Sequence, residues 1–273
     1  MYFRLPDSRR IWYEMLGDPE SPVVCLTHSL TADSGMWAEQ VPALLQAGYR
    51  VLRMDIRGHG GSDAMDGAYT LENLADDVSI VVQGLGLDGV HYVGLSIGGM
   101  FGQAFALKYP QLMRSAMLCD TMPASASGAE GMWDERIATA RSANSLLPLA
   151  EATLGRWFTE DFRRRSPLRC RQVHESILAT SVNGFEGCVR AIRQFDFSEA
   201  LPKVQVPTLV VCGSDDPGTP PAENRRLAEL IPGARYEEVP GCRHLPNIER
   251  PEAFNAVLTR WLAGLRSSAI TKR

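Results

Sequence analysis

A serine flanked by glycines is the first feature of the sequence that could do chemistry. Residues 94–98 have the pattern Gly-x-Ser-x-Gly with Ser96 at the centre, between a short apolar run and a pattern that predicts a helix. A serine on so sharp a strand-to-helix turn projects its hydroxyl out of the sheet, and the glycines are needed because larger side chains would collide with it. The motif therefore predicts that Ser96 is a nucleophile.

A serine hydroxyl becomes a good nucleophile only when a base takes its proton and a third group orients that base. His244 lies in a polar loop rich in Gly and Pro after the last predicted strand, and we predict that it is the base. The acid is expected after the preceding strand, where Asp215 and Asp216 are neighbours. We predict Asp216 and keep Asp215 as the alternative. The order serine, aspartate, histidine along the chain is the one expected for an α/β-hydrolase.

The oxyanion that forms when Ser96 attacks a carbonyl needs two hydrogen-bond donors. The backbone N–H of Ile97, next to the nucleophile, is the first predicted donor. The loop of residues 27–31 follows an earlier predicted strand, and we predict that the N–H of Leu30 is the second donor. In the same loop, His28 is interpreted as a structural residue and not as a second base.

These residues need a scaffold, and short apolar runs alternate with helical patterns through most of the chain. After an amino-terminal β-ribbon, several runs have the length and continuity of strands buried on both faces, which indicates parallel pairing. The predicted strands are residues 23–27, 50–54, 90–93, 116–119, 208–212 and 234–239. The predicted fold class is therefore α/β, with a mostly parallel central sheet flanked by helices.

The strand signal disappears between residues 122 and 200, where only helical patterns with bulky apolar residues are found. Because strands resume afterwards, these helices interrupt a sheet instead of following it. We predict a helical cap of residues 122–200, inserted after the sixth strand, on a core of residues 1–121 and 201–273. Such a cap covers the carboxyl ends of the strands, where open sheets bind ligands. A separate domain with its own partner is the alternative.

Composition and charge exclude several classes of protein. The 273 residues are 45% hydrophobic and 22% charged, as in ordinary globular proteins, which argues against disorder, collagen and coiled coil. The formal charge of −4 offers no general attraction to nucleic acid. No apolar run is long enough to span a membrane, and the first residues lack the apolar block of a signal peptide. We therefore expect no nucleic acid or membrane partner and a cytoplasmic location.

Cysteines and histidines give little support to other kinds of chemistry. The six cysteines are scattered without Cys-x-x-Cys pairs and are interpreted as small buried hydrophobic residues. The five histidines never occur at metal-ligand spacing, and no phosphate-binding loop is found. We therefore predict no metal and no cofactor.

The chain resembles the 3-oxoadipate enol-lactonase group of α/β-hydrolases over nearly its whole length. The nucleophile and histidine segments are general to hydrolases, whereas the cap segments are more specific because caps determine the substrate. The matching residues are Ser29, Leu30, Met36 and Trp37, residues 52–63, residues 94–100, Met132 and Trp133, residues 156–159, Asp216, Pro217 and residues 219–221, and His244, Leu245, Asn247 and Glu249. The resemblance implies an α/β-hydrolase fold and the hydrolysis of a lactone.

The sequence departs from this group at three positions. It has His28, Gly35 and Pro246 where the group often has Asn, Arg and Ser. Without an arginine at position 35, the carboxylate of 3-oxoadipate enol-lactone lacks one partner, so the sequence favours a neutral or differently charged lactone or ester. Cap arginines could replace that partner, although such a run is typical of a solvated face; they are Arg163, Arg164, Arg165, Arg169 and Arg171.

Together the residues predict a serine hydrolase that opens a lactone or cleaves a carboxylic ester through an acyl-enzyme. Candidates for the apolar lining of the substrate site are the cap residues Trp133, Trp157, Phe158 and Phe162. General carboxylester hydrolysis, carbon–carbon bond hydrolysis and perhydrolysis use the same triad and remain alternatives. A ligand receptor on a hydrolase scaffold is the alternative that is not an enzyme. The expected partner is a small lactone or ester, and the sequence leaves a homo-oligomer open.

Overall fold

A central sheet organises the molecule. The computed structural model describes residues 1–126, 128 and 130–270. The strands in this part of the chain are β1 (Tyr2–Arg4), β2 (Arg10–Leu16), β3 (Val23–Thr27), β4 (Arg50–Met54), β5 (Val90–Leu95), β6 (Met113–Cys119), β7 (Thr208–Gly213) and β8 (Arg235–Val239). They form one sheet in the order β1-β2-β4-β3-β5-β6-β7-β8.

Most of the sheet is parallel. Strands β3 to β8 run parallel to one another, and β1 and β2 pair in the antiparallel direction. Strands β3, β5 and β7 are buried over their full length, as expected for strands covered on both faces. The register pairs Thr27 with Gly94 and Leu95 with Cys119, so the carboxyl ends of these strands meet at one edge. The predicted α/β class with a mostly parallel sheet is confirmed.

Helices surround the sheet and interrupt it once. They are α1 (Gln40–Gln46), α2 (Leu71–Gly84), α3 (Ile97–Lys108), α4 (Glu130–Ala143), α5 (Leu147–Trp157), α6 (Glu160–Arg165), α7 (Pro167–Ala179), α8 (Val182–Arg193), α9 (Pro221–Leu230), α10 (Pro246–Glu249) and α11 (Pro251–Ile270). Thr70 begins α2 with a capping box, in which its side chain accepts from the N–H of Asn73 and the Asn73 side chain accepts in return. In the described part of the chain, no helix has the length and apolar character needed to cross a membrane.

Helices α4 to α8 form a helical cap between β6 and β7. Helix α5 packs against α4 and α7, and α8 packs against α4. An isolated bridge between Ala124 and Asp196 joins the two ends of the insertion. The helical insertion therefore follows the sixth strand, as the sequence predicts, while the exact bounds of 122 and 200 stay a prediction.

The cap is attached to the core at the beginning of α8. Gly58, in the turn after β4, has a φ of +77°, and a Cβ there would lie 2.3 Å from the Cα of Gly184. Ser181 donates both its backbone N–H and its hydroxyl to the carbonyl oxygen of Gly58, each at 3.0 Å. One turn further on, Gly187 accepts the N–H of Tyr69 at 3.3 Å. The backbones of core and cap are therefore in direct contact at this point.

Candidate active site

Ser96 lies on the turn between β5 and α3. Its φ of 59° and ψ of −120° are rarely adopted by a residue with a side chain and cost roughly 1–3 kcal/mol. The turn needs its glycines, because a Cβ at Gly94 would lie 2.3 Å from the carbonyl oxygen of Gly98, and a Cβ at Gly98 would lie 2.6 Å from that of Thr27. The backbone N–H of Ser96 donates to the carbonyl oxygen of Cys119 at 2.9 Å. The strand ends on both sides of β5 thus hold the strained serine in place.

The turn after β7 brings Asp216 to His244. The Asp216 Oδ2 lies 2.8 Å from the His244 Nδ1, and the aspartate is completely buried. The carboxylate also accepts the hydroxyl of Thr219 at 2.5 Å and the N–H of Gly218 at 2.8 Å. Burial alone would raise the pKa of Asp216, but the adjacent His244 and these hydrogen bonds hold it below its usual value. By contrast, Asp215 is exposed and bonds to the hydroxyl of Ser214.

A cavity of about 240 Å³ lies under the cap and joins these residues. Both Ser96 and His244 line it, so the predicted nucleophile and base face the same space. The other lining residues are Ser29, Leu30, Thr31, Met100, Met122, Ser125, Ala126, Met132, Trp133, Arg136, Thr153, Arg156, Trp157, Ile192, Asp216, Pro217, Gly218 and Thr219. The cavity is at the small end of ligand sites and suits a small molecule.

The two residues predicted to supply the oxyanion donors are Ile97, which follows Ser96 in the chain, and Leu30, which lies on the cavity wall. Ile97 is the first residue of α3, and the first N–H groups of a helix have no partner within the helix. Leu30 lines the cavity from the loop after β3. His28 holds this loop in place, because its Nε2 accepts the N–H of Ile56 at 2.9 Å and its Nδ1 lies 2.8 Å from the carbonyl oxygen of Ser29. Since Nε2 accepts, Nδ1 carries the proton, and His28 has no free nitrogen to act as a base.

The aromatic residues predicted for the lining separate into two pairs. Trp133 and Trp157 line the cavity, and the Trp157 ring stacks 6.5 Å from the His244 ring. The structure does not bring Phe158 and Phe162 to the cavity, so the expectation for these two is corrected. Helix α5 ends at Trp157, Phe158 continues in extended conformation, and its ring packs against Phe162 at 4.9 Å. They pack inside the cap instead of against a substrate.

Two arginines in the cavity were not singled out by the sequence. The Arg136 guanidinium lies 4.7 Å over the Trp133 ring, and Arg156 donates to the hydroxyl of Thr153 at 3.3 Å. In the described part of the chain neither forms an ion pair with an acidic residue. Burial lowers the pKa of both, and Arg156 lowers that of Arg136 further. A signal was present, since Trp133 and Arg136, like Thr153 and Arg156, are three residues apart and share a helix face.

The arginines that the sequence did single out serve other purposes. Arg164 and Arg165 pair with Asp161 on the cap surface, as expected for a solvated face. Arg169 departs from that expectation. It is largely buried, pairs with Glu39 at 2.8 Å and donates to the carbonyl oxygen of Gly35 at 3.1 Å. The position at which the sequence lacks an arginine is therefore contacted by a cap arginine, although outside the cavity.

A cluster of potential metal ligands coincides with the same residues. Asp120, Asp216 and His244 have ligand-type atoms within 4.8 Å of one another, and all three are buried. The Nδ1 of His244 and the Oδ2 of Asp216 lie 2.8 Å apart and bind each other directly by a hydrogen bond. We therefore interpret the cluster as an aspartate–histidine pair with a neighbouring carboxyl.

A family profile that matches most of the chain shows to which family the protein belongs. The sequence profile of the alpha/beta hydrolase fold family matches residues 22–251. The chain belongs to this family. The matched range begins before β3, ends at the start of α11 and includes the whole cap. The fold class expected from the sequence is thereby confirmed, and the protein is a hydrolase.

Similar proteins include lactonases and an esterase. The chain is 32% identical over 250 residues to 3-oxoadipate enol-lactonase 1 of Acinetobacter baylyi, with 92% of each chain covered. It is 28% identical over 280 residues to a bifunctional esterase/perhydrolase of Acinetobacter calcoaceticus, with 97% of this chain and 99% of that protein covered. The crystal structure of the enol-lactonase from Burkholderia xenovorans has a TM-score of 0.92 at 35% identity, over 96% of this chain and 100% of that chain. The resemblance seen in the motifs is confirmed.

Proposed function

We propose that the protein is a serine hydrolase that opens a lactone or cleaves a carboxylic ester, and that its substrate carries an ionised carboxylate. The observation that supports this proposal is one cavity that contains Ser96, His244 and two arginines without acidic partners in the described residues. The names of the similar proteins support the ester or lactone bond. The two cavity arginines support a negative charge on the substrate.

In the first half of the reaction, the Ser96 hydroxyl attacks the carbonyl carbon while His244 takes its proton. Asp216 accepts from Nδ1 of the ring, which leaves Nε2 for the serine, and it stabilises the imidazolium that forms. The N–H groups of Leu30 and Ile97 receive the oxyanion. His244 then returns the proton to the departing alcohol oxygen, and the acyl group stays on Ser96.

In the second half, His244 takes a proton from water while the water oxygen attacks the acyl carbon. The bond to Ser96 breaks, its oxygen recovers the proton, and the free acid leaves. In a lactone the alcohol remains part of the acyl group, so water must attack before the ring closes again. The cap limits the space around the acyl group and still has to admit that water.

The proposed negative charge of the substrate rests on the two cavity arginines, Arg136 and Arg156, which have no acidic partner among the described residues. Two partly buried guanidinium groups in one cavity repel each other and have lost part of their hydration. A carboxylate between them would restore both the charge balance and the hydrogen bonds, since guanidinium groups bind carboxylates in a planar fork. The preference for a neutral or differently charged lactone or ester, which rested on Gly35, is therefore replaced in this proposal by a preference for an anionic substrate.

A matched pair of esters tests this proposal. The p-nitrophenyl monoester of glutaric acid and p-nitrophenyl valerate have acyl chains of the same length, but only the first ends in a carboxylate. We expect the first to have the higher kcat/KM. Replacing either arginine, by Arg136→Gln or Arg156→Gln, should lower kcat/KM for the anionic ester by roughly tenfold to a hundredfold, the usual contribution of a charged hydrogen bond.

The control is Arg171→Gln, which removes an exposed cap arginine outside the cavity. It should change the ratio of the two esters very little. Equal kcat/KM for both esters, with no effect of either cavity arginine, would contradict the anionic substrate. Absence of turnover for the two esters and for a panel of lactones would contradict hydrolysis itself and favour the receptor alternative.

A further inference from the structure

Asp120 is a buried carboxyl next to the aspartate–histidine pair. It follows β6 at the sheet edge that carries Ser96, and its φ of 44° is unusual for an aspartate. Its backbone N–H donates to the carbonyl oxygen of Val211, and its Oδ1 accepts the N–H of Gly213, both at 2.8 Å. Asp120 therefore joins the end of β6 to the end of β7. The residue that it contacts there, Gly213, precedes Asp216 by three positions.

The other oxygen of this carboxyl lacks a partner. Oδ2 of Asp120 is buried and forms no hydrogen bond within the described residues. Carboxyl oxygens of Asp120 and Asp216 lie within 4.8 Å of each other and of a His244 ring nitrogen. Two buried, ionised carboxylates at this distance would repel each other strongly. A proton on one of them removes a charge and creates a donor for the other.

Among the described residues, no arginine or lysine forms an ion pair with Asp120. Three thiols from three neighbouring segments face it, Cys119 on β6, Cys212 on β7 and Cys242 after β8, and burial raises the pKa of each. They are neutral and act only as weak donors. Burial raises the pKa of Asp120 well above its usual range, and the charge on Asp216 raises it further. By contrast, the pKa of Asp216 is lowered by His244 and by the hydrogen bonds of its turn.

We propose that Asp120 is a positioning residue that stays protonated and donates a hydrogen bond from its carboxyl group to Asp216. Asp216 then stays negatively charged beside His244, and the neutral carboxyl group of Asp120 holds it in position. The imidazolium that forms during catalysis faces one negative charge instead of two. This inference rests on the proposed triad, in which Asp216 orients His244.

The first test measures stability and needs no turnover. A group whose pKa is raised by folding stabilises the folded state below its unfolded pKa, about 4 for an aspartate, and loses this contribution as the pH rises. In Asp120→Asn the amide can accept from Gly213 and donate to Asp216 without ionising. We expect the unfolding constant of the wild type, relative to this variant, to rise with pH above about pH 5, by about tenfold per pH unit for as long as Asp120 stays protonated in the folded protein.

The matched control is Asp215→Asn, which removes an exposed carboxylate from the same turn. Its unfolding constant relative to the wild type should be nearly independent of pH in the same range. If the ratio of the unfolding constants of the wild type and Asp120→Asn did not change with pH, or fell as the pH rose, Asp120 would be ionised in the folded protein. Either result would overturn the inference.

The second test uses the acid side of the pH profile of kcat/KM, which reports the protonation of His244. If Asp120 is neutral, Asp120→Asn removes no charge, and the profile should stay within about 0.3 pH unit of the wild type. If Asp120 were ionised, removing its charge so close to the imidazole would move the acid side down by about one pH unit or more. Asp120→Ala, which cannot donate, should have a kcat at least about tenfold below that of Asp120→Asn.

The proposed triad and the proposed role of Asp120 can be contradicted independently of each other. If the stability ratio rises as expected but Asp216→Asn keeps full turnover, the protonated carboxyl stands and the proposed triad falls. If Asp216→Asn loses turnover and the stability ratio is flat, the triad stands and the role of Asp120 falls.

Discussion

Ser96 has a backbone conformation that a purely structural serine would not need. The positive φ is maintained by glycines at positions 94 and 98 and by a hydrogen bond to the end of β6. Strain of this kind persists where the surrounding structure enforces it, and it directs the hydroxyl to the cavity. Such strain is expected of a nucleophile, the role that we propose for Ser96.

Removal of this hydroxyl should separate catalysis from folding. We expect Ser96→Ala to keep the melting temperature of the wild type and to lose roughly three to six orders of magnitude in turnover, because the residues of a triad act as a unit. Hydrolysis of p-nitrophenyl esters measures the loss, and circular dichroism measures the fold. A fluorophosphonate should label the wild type at Ser96, as located by mass spectrometry. Turnover near that of the wild type would exclude Ser96 as the nucleophile.

The two neighbouring aspartates should differ sharply. Asp216→Asn removes the acceptor of the His244 Nδ1 proton, favours the wrong tautomer and should reduce kcat by roughly 10⁴-fold. Asp215→Asn changes an exposed side chain and should leave kcat nearly unchanged. Steady-state kinetics with one ester compares the two variants. The reverse ranking would make Asp215 the acid of the triad.

Residues that lie on turns between regular elements could be placed at the cavity from the sequence, and residues whose position depends on packing could not. Ser96 and His244 follow strands, and a strand end fixes the position of the next residue in the sheet. Arg136 was missed because its spacing from Trp133 shows that the two share a helix face but not that this face lines the cavity. The expectation for Phe158 was wrong because the backbone becomes extended at this residue, directly after α5, and its ring does not reach the cavity.

At the scale of elements, the sheet edge and the cap contribute different parts of the site. The strand ends supply Ser96, Asp216 and His244, whereas α4 and α5 supply the tryptophans and arginines of the cavity. Strands β3, β5 and β7 could be predicted because each is a short run that is buried over its full length. In α4 only Ile137 and Ala140 are buried, so its periodicity gave little information about its orientation.

The cap should therefore control which substrate is cleaved without providing the chemistry. We expect Trp133→Ala and Trp157→Ala to change the ranking of esters and lactones by kcat/KM, with losses of roughly 1–3 kcal/mol per lost apolar contact. Bulky cyclic substrates should be affected most. The control is Phe162→Leu, which changes the interior of the cap and should lower stability while leaving the ranking as it is. An unchanged ranking in both tryptophan variants would contradict a role of the cap in specificity.

At the scale of the whole molecule, the six cysteines are all buried as free thiols. Burial raises the pKa of Cys25 to about 12 and raises those of the other core thiols, so very little thiolate is present at neutral pH. We expect the native protein to react very slowly with Ellman's reagent and the unfolded protein to expose six reactive thiols. Rapid reaction of one thiol in the native protein would point to Cys170, which borders a shallow surface depression on the cap.

The contact between Gly58 and Gly184 limits how the cap of this enzyme can be exchanged. A Cβ on either glycine would overlap the backbone of the other, so the two positions cannot be varied independently. Chimeras that exchange the cap should therefore take residues 130–179 from the donor and keep α8 with the recipient. Those that also exchange α8 should fold poorly unless the donor brings a glycine to the same contact. The part of the cap that carries the arginines and tryptophans contacts the core through side chains such as Arg169 and can be exchanged, whereas α8 must stay with the core.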